Sequence, residues 1–186
     1  MRIRGAIFDV DGTLLDSMFI WDTIGETYLR SIGYEPREKL NEVFKNMSLF
    51  QAARYYRTEY GVTLSIDEIM NGVNAMLERY YRFEVSLKPG VAELLAQLQA
   101  SGVKLCIATA TDRYLVEAAL ERCGVLSCFG AIFTCNEVGH GKDEPDIFEE
   151  ALRFLGTEKA ETVVFDDALY AVRTAKEAGF PVAVIY

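Results

Sequence analysis

The chain is poor in the residues that build the commonest metal-thiolate and disulfide sites. It has one histidine, His140, and its four cysteines, Cys106, Cys123, Cys128 and Cys135, form no CxxC pair. Neither a zinc site nor a disulfide framework is expected from such spacing. Cys106 lies in an apolar, strand-like run, the setting of a buried reduced thiol, and His140 sits in the loop Gly139-His140-Gly141. Basic residues are also scarce, 19 lysines and arginines against 28 aspartates and glutamates, a net charge of -9. With no basic stripe to neutralise a phosphate backbone, nucleic acid is excluded as a partner, and a small anion would need cations placed one at a time. No apolar run reaches about 18 residues, so no membrane span is expected. A strand pattern begins at residue 3 with no signal-peptide pattern before it, and the expectation is a soluble, cytoplasmic monomer. Internal repeats and low-complexity tracts are missing as well.

What the chain does have is a core-building composition and two kinds of sequence. Its 186 residues are 51% apolar, enough for one domain with a sizeable core, or one domain carrying a smaller insert. Strand-like runs occur at residues 3–8, 103–108, 131–134, 162–165 and 182–185, with amphipathic helical patterns at 112–123, 144–155 and 168–178. This is a βαβ rhythm, and it predicts an α/β fold with an open, mainly parallel sheet covered on both faces. From Met18 to Glu84 the apolar residues recur at helical spacing with no strand among them. Gly33, Pro36, Gly61 and the Lys88-Pro89-Gly90 turn punctuate this part. The expected division is a core of residues 1–17 and 85–186 with a helical insert at 18–84. Met18, Phe19, Trp21, Phe50, Tyr55 and Tyr56, early in the insert, are expected mainly in its packed interior, with a minority facing the core.

The strand ends carry the chemistry. Gly5-Ala-Ile-Phe-Asp9-Val-Asp11-Gly12-Thr13 runs an apolar strand directly into two carboxylates at i, i+2. Strand side chains alternate sides, so Asp9 and Asp11 share one mouth only if the chain turns just after Asp9, a turn for which Gly12 supplies the freedom. One carboxylate could then attack while the other moves protons. Ligands of open α/β sheets bind beyond the carboxyl ends of the strands, and three more such ends are marked. Thr109 follows Leu105-Cys-Ile-Ala, Lys142 lies after Ile132-Phe-Thr, and Asp166-Asp167 follows Val163-Val-Phe. Each alone reads as an ordinary cap or loop residue, but four strand exits carrying nucleophile, hydroxyl, cation and carboxylate pair fit coincidence poorly.

These segments, Asp9-Val-Asp11-Gly12-Thr13, Ile107-Ala-Thr109-Ala-Thr111-Asp112-Arg113, Gly141-Lys142-Asp-Glu-Pro145-Asp146-Ile-Phe148 and Val164-Phe-Asp166-Asp167, resemble in order the four motifs of the haloacid dehalogenase-like superfamily. The resemblance covers nearly the whole chain and is strongest to the phosphatase and β-phosphoglucomutase-like branch, whose helical cap follows the first motif. It implies a Rossmann-like sheet of strand order 5-4-1-2-3 with residues 18–84 as the cap.

It also implies a Mg2+-dependent phosphatase acting on a small phosphorylated metabolite through an aspartyl-phosphate. In that role Asp9 is the nucleophile and Asp11 the proton-transfer group. Asp9, the Asp11 backbone carbonyl and Asp167 hold the metal, with Asp166 orienting the shell around it. Thr109, the Ala110 amide and Lys142 contact the phosphoryl oxygens, and Lys142 pairs with Asp9 as well. Dehalogenases expel a halide that needs no proton, and that branch resembles this chain without the second aspartate. The runner-up is a phosphomutase. The stretch Lys45-Asn46-Met47-Ser48-Leu49-Phe50 lies where the sugar mutases carry an arginine for a distal phosphate, and only Arg54 could substitute here. A non-catalytic phosphate-binding protein is the third reading, and the paired Asp9 and Asp11 argue against it. The fourth motif departs from the family's usual Glu-Asp-Ser-x-x-Gly, reading Asp166-Asp167-Ala168-Leu169-Tyr170-Ala171. The lost hydroxyl and glycine put its hydrogen bonding and helix approach in question.

Overall fold

The structure is a computed structural model that describes residues 3–44 and 47–186. Lys45 and Asn46, from the stretch compared with the sugar mutases, lie outside the described residues.

Strand β1 (Gly5–Phe8) is entirely buried, and its unbroken apolar run suits a strand flanked and covered on both sides. It pairs in parallel with β2 (Lys104–Thr109) and β4 (Thr162–Asp166), while β3 (Ile132–Thr134) and β5 (Val182–Val184) complete the sheet. The order is β3-β2-β1-β4-β5, which read from the opposite edge is the 5-4-1-2-3 implied by the family resemblance. The period of two divides β1 between two cores. Ala6 and Phe8 join the larger one, where Phe8 stacks on Phe165 with ring centroids 4.4 Å apart. Ile7 faces the other with Cys106, Val164 and the buried side of a helix at Asp146–Leu155. All four cysteines are free thiols.

Between β1 and β2, in chain order, come α1 (Met18–Ser31), α2 (Leu40–Phe44), α3 (Leu49–Tyr60), α4 (Ile66–Phe83) and α5 (Val91–Ala100). Ser48 and Ser65 start α3 and α4 with reciprocal capping boxes, to Gln51 and Glu68, satisfying amides that the first turn would otherwise leave unpaired. The helical segment joins the sheet through two strands of chain that run side by side. Leu15 bridges Leu87 in antiparallel register, Asp16 N–H donates to Ser86 O at 2.9 Å, and Lys88 N–H donates to Leu14 O at 2.9 Å. Further along, α4 lies against α6 (Arg113–Arg122). There Asn74 donates to Asp112, and Arg122 donates to the carbonyls of Tyr81 and Val85.

The expected strands and helices all occur, each end moved by two residues or fewer. Helix α5 was not expected; it starts after the Lys88-Pro89-Gly90 turn, with Gly90 at φ 84°. The packed-interior expectation for six residues of the insert needs correction. Tyr56 alone of them is enclosed, whereas Met18, Phe19 and Phe50 are exposed. The physical reason is position: these three lie in the first turns of α1 and α3, which open onto the cavity described next or onto solvent.

Candidate active site

The chain turns immediately beyond β1, and that turn makes the site. The N–H groups of Thr13, Leu14 and Leu15 all converge on the Val10 carbonyl, at 3.3, 2.9 and 2.8 Å. Gly12 sits at φ 79°, and a Cβ there would overlap the Asp167 carboxylate. Glycine is thus required twice, for the left-handed backbone and for the approach of the fourth-motif loop.

Asp9, Lys142 and Asp166 are all buried. The Lys142 ammonium donates to Asp9 Oδ1 and, at 2.9 Å, to Asp166 Oδ2. A buried charge persists only when paired, so this triad fixes three side chains together. Burial alone would lower the lysine's pKa, but the charges of Asp166 and Asp9 outweigh it and raise it, so Lys142 stays protonated. Burial raises the Asp9 pKa, opposed by Lys142 and reinforced by Asp166 and Asp11. Asp167 is raised too, first by burial and then by Asp166.

Three carboxylates against one ammonium leave a local excess of negative charge. Oxygens of Asp9, Asp166 and Asp167 lie within 4.8 Å of one another. This set, all hard oxygen and rich in charge, fits a hard divalent cation of the Mg2+ kind and offers nothing to a thiophilic one. Within it the two fourth-motif acids differ. Asp166 is committed to Lys142 and to the Ala168 N–H at 3.0 Å; among the side chains of the described residues, Asp167 accepts a long 3.5 Å hydrogen bond from the Thr13 hydroxyl.

Asp11 stands apart from that cluster among neutral donors. Its Oδ1 accepts from Ser17 Oγ at 2.6 Å and from the Tyr81 hydroxyl, and its Oδ2 from Thr111 Oγ1 at 2.6 Å. Thr109 is buried beside it at the end of β2 and accepts the Thr111 N–H at 3.1 Å.

All seven residues expected from the sequence, Asp9, Asp11, Thr109, Ala110, Lys142, Asp166 and Asp167, line one cavity of about 430 Å3. It extends from the sheet edge into the helical segment, where Trp21, Phe44, Leu49, Tyr56 and Val73 form its wall. Among the described residues Lys142 is the one cation on that lining. Arg54 is exposed on α3 and borders a separate surface groove with Arg57. Ser17, Thr111 and Tyr81 were given no role by sequence reasoning. Thr111 stands inside the second quoted motif and Ser17 four residues beyond the first, so their hydroxyls were available as a signal. Tyr81 occupies an apolar-periodic position of α4, where nothing local distinguishes it from a packing residue.

Comparison with known proteins gives a consistent picture. A model of the haloacid dehalogenase-like hydrolase family matches residues 6–185. The protein CbbY of Rhodobacter capsulatus is 29% identical over 194 residues, covering 99% of this chain and 86% of that protein. The validoxylamine A 7'-phosphate phosphatase of Streptomyces hygroscopicus subsp. limoneus is 28% identical over 174 residues, covering 94% and 81%. Among solved structures, CbbY from Rhodobacter sphaeroides in complex with phosphate superposes with a TM-score of 0.85 at 28% identity, over 98% of this chain and 85% of that one.

Proposed function

The chain belongs to the haloacid dehalogenase-like hydrolases, and from that premise we propose that it is a Mg2+-dependent phosphatase of small phosphate monoesters. The observation that carries this reading is the second carboxylate, Asp11, in the same cavity as Asp9 and supplied with its own donors. Expelling an alkoxide needs a proton and expelling a halide does not. The similarity to a named phosphatase and to a phosphate-bound structure supports it.

In the first step Asp9 attacks phosphorus, the ester P–O bond breaks, and the leaving oxygen takes a proton from Asp11. In the second, water gives a proton to Asp11 as its oxygen attacks the aspartyl-phosphate, releasing phosphate and restoring Asp9. The Thr109 hydroxyl and Ala110 N–H donate to phosphoryl oxygens, and Lys142 balances their charge. Asp9, the Asp11 carbonyl and Asp167 would hold Mg2+, which when bound would neutralise the anionic charge repelling the nucleophile. Asp166, anchoring Lys142 and the Ala168 amide, keeps that shell oriented.

We assign residues 18–84 as a cap over a catalytic domain of residues 1–17 and 85–186. Its apolar wall excludes water and selects by shape. The mutase alternative calls for a cation at the far end of the cavity, and among the described residues the lining has none. The test is phosphate release from a panel of sugar, nucleotide and small-acid phosphates with Mg2+, followed by product analysis with β-glucose 1-phosphate primed by a trace of the 1,6-bisphosphate. Release of inorganic phosphate supports the phosphatase; glucose 6-phosphate forming faster than phosphate overturns it.

A further inference from the structure

Tyr81 reaches Asp11 from 70 residues away, and the direction of its hydrogen bond is fixed by its other neighbour. Trp21 Nε1 lies 3.1 Å from the same phenol oxygen. An indole N–H can only donate, so the phenol must accept from Trp21, and its single proton is left for Asp11 Oδ1. The ring of Tyr81 is fully buried. A carboxylate has about four acceptor positions. Ser17 and Tyr81 take those of Oδ1, Thr111 takes one on Oδ2, and the remaining one is on Oδ2.

We propose that Tyr81, with its proton aimed by Trp21, is a positioning residue that locks Asp11 Oδ1 so that Oδ2 alone exchanges the proton. The proposal rests on the reading of Asp11 as the proton-transfer group. Asp11 Oδ2 gives its proton to the leaving oxygen as the ester P–O bond breaks, and takes one from water as the aspartyl-phosphate is hydrolysed. Both Trp21 and Tyr81 belong to the helical segment, on α1 and α4, so part of the proton-transfer geometry is set by chain outside the sheet.

The test compares wild type, Tyr81→Phe, Trp21→Phe, Asp11→Asn and the Asp11→Asn/Tyr81→Phe double variant. Each is assayed on glycerol phosphate, a poor leaving group, and on p-nitrophenyl phosphate, a good one, with thermal unfolding as a check of folding. For Tyr81→Phe, kcat/KM on glycerol phosphate should fall about tenfold, the scale of one hydrogen bond to a charged group, with a smaller fall on p-nitrophenyl phosphate. Trp21→Phe should act in the same direction and more weakly. In the Asp11→Asn background Tyr81→Phe should cost nothing further. Equal losses on the two esters, full additivity in the double variant, or a wild-type Tyr81→Phe would each overturn the role. If Tyr81→Phe does not fold, Trp21→Phe decides, and equal losses on the two esters overturn the proposal. A wild type that releases phosphate from neither ester overturns the phosphatase reading and this role with it; an active wild type with an unaffected Tyr81→Phe overturns the role alone.

Discussion

The sheet edge and the helical segment face one cavity and hold it by different physics. The sheet side presents charge: Asp9, Asp166 and Lys142 are buried and mutually paired, with Asp167 next to them. The helical side presents chiefly Trp21, Phe44, Leu49 and Val73, with Asp22, Asn41 and Ser48 among them, and its contribution is mainly shape. Tyr81 crosses that division, a helical residue that donates to a carboxylate of the site. Buried charges tolerate almost no substitution, because removing one strands its partner. An apolar wall tolerates exchange within its volume. On the proposed reading, chemistry is set by the sheet side and selection among substrates by the helical one.

The hardest blow to that contrast comes from the nucleophile. Asp9→Asn should abolish turnover, because an amide of nearly the same shape cannot attack phosphorus, while Lys142 keeps Asp166 as partner and the fold survives. Phosphate release together with thermal unfolding checks both halves, and near-normal turnover would sink the covalent route. Asp11→Asn should slow turnover by about 100-fold or more, the usual scale of general acid-base help.

On the proposed reading, the two fourth-motif acids divide charge for structure from charge for metal. Asp166→Ala leaves Lys142 with Asp9 alone and should destabilise by about 3 kcal/mol, the scale of breaking a buried pair. Asp167→Ala relieves crowding among like charges, so it should spare stability while raising the Mg2+ concentration needed for activity. EDTA should remove the activity of the parent and Mg2+ restore it, whereas Ca2+, with its looser shell, should inhibit. Metal titrations beside melting curves separate the two variants; the reverse order would mean that Asp166 is the ligand.

The same crowding has a pH signature in metal-free protein. The Asp167 carboxyl is raised in the folded state, by burial and then by Asp166, so folding takes up protons there. Its contribution to stability is fully present below the unfolded value of about 3.9 and is lost as pH rises through the higher folded value. Asp167→Asn should flatten that part of the stability profile above about pH 4, and saturating Mg2+ should do the same. An unchanged slope would show that Asp167 is already relieved by its surroundings.

Most of the sheet side was legible from sequence because β1, β2 and β4 end where the chemistry begins. An apolar run stops at Asp9, Thr109 or Asp166, and the residue type at the stop announces itself. The pairing of Lys142 with Asp166 was not legible, since it joins two strand exits across the sheet. The helical side was legible as helices and as little else. Periodicity sets Tyr56 on a buried face, but which face meets the cavity depends on how four helices pack, so Phe19 and Phe50, expected mainly in the packed interior, are exposed. Tyr81 carries no local signal in the sequence, and its hydroxyl acquires meaning only once α4 lies over Asp11.

The smallest effect belongs to a residue that supports the wall without touching the charges. Tyr56 is buried among α1, α2 and α3, where its hydroxyl donates to the Gly25 carbonyl at 2.7 Å and its ring meets Phe44 edge-on at 5.2 Å. Gly25 has no Cβ, and one placed there would press on the Phe44 ring and crowd that hydroxyl, so the contact depends on the glycine. Tyr56→Phe keeps the ring and removes one neutral hydrogen bond to a carbonyl inside α1; the expected cost is about 1 kcal/mol of stability. Turnover should stay within about twofold of the parent, because no proton or charge used in the reaction passes through this group. Melting curves and steady-state rates on the same ester check the pair of values. A large fall in kcat with an unchanged melting temperature would show that the wall takes part in the chemistry and would end the contrast between the two sides.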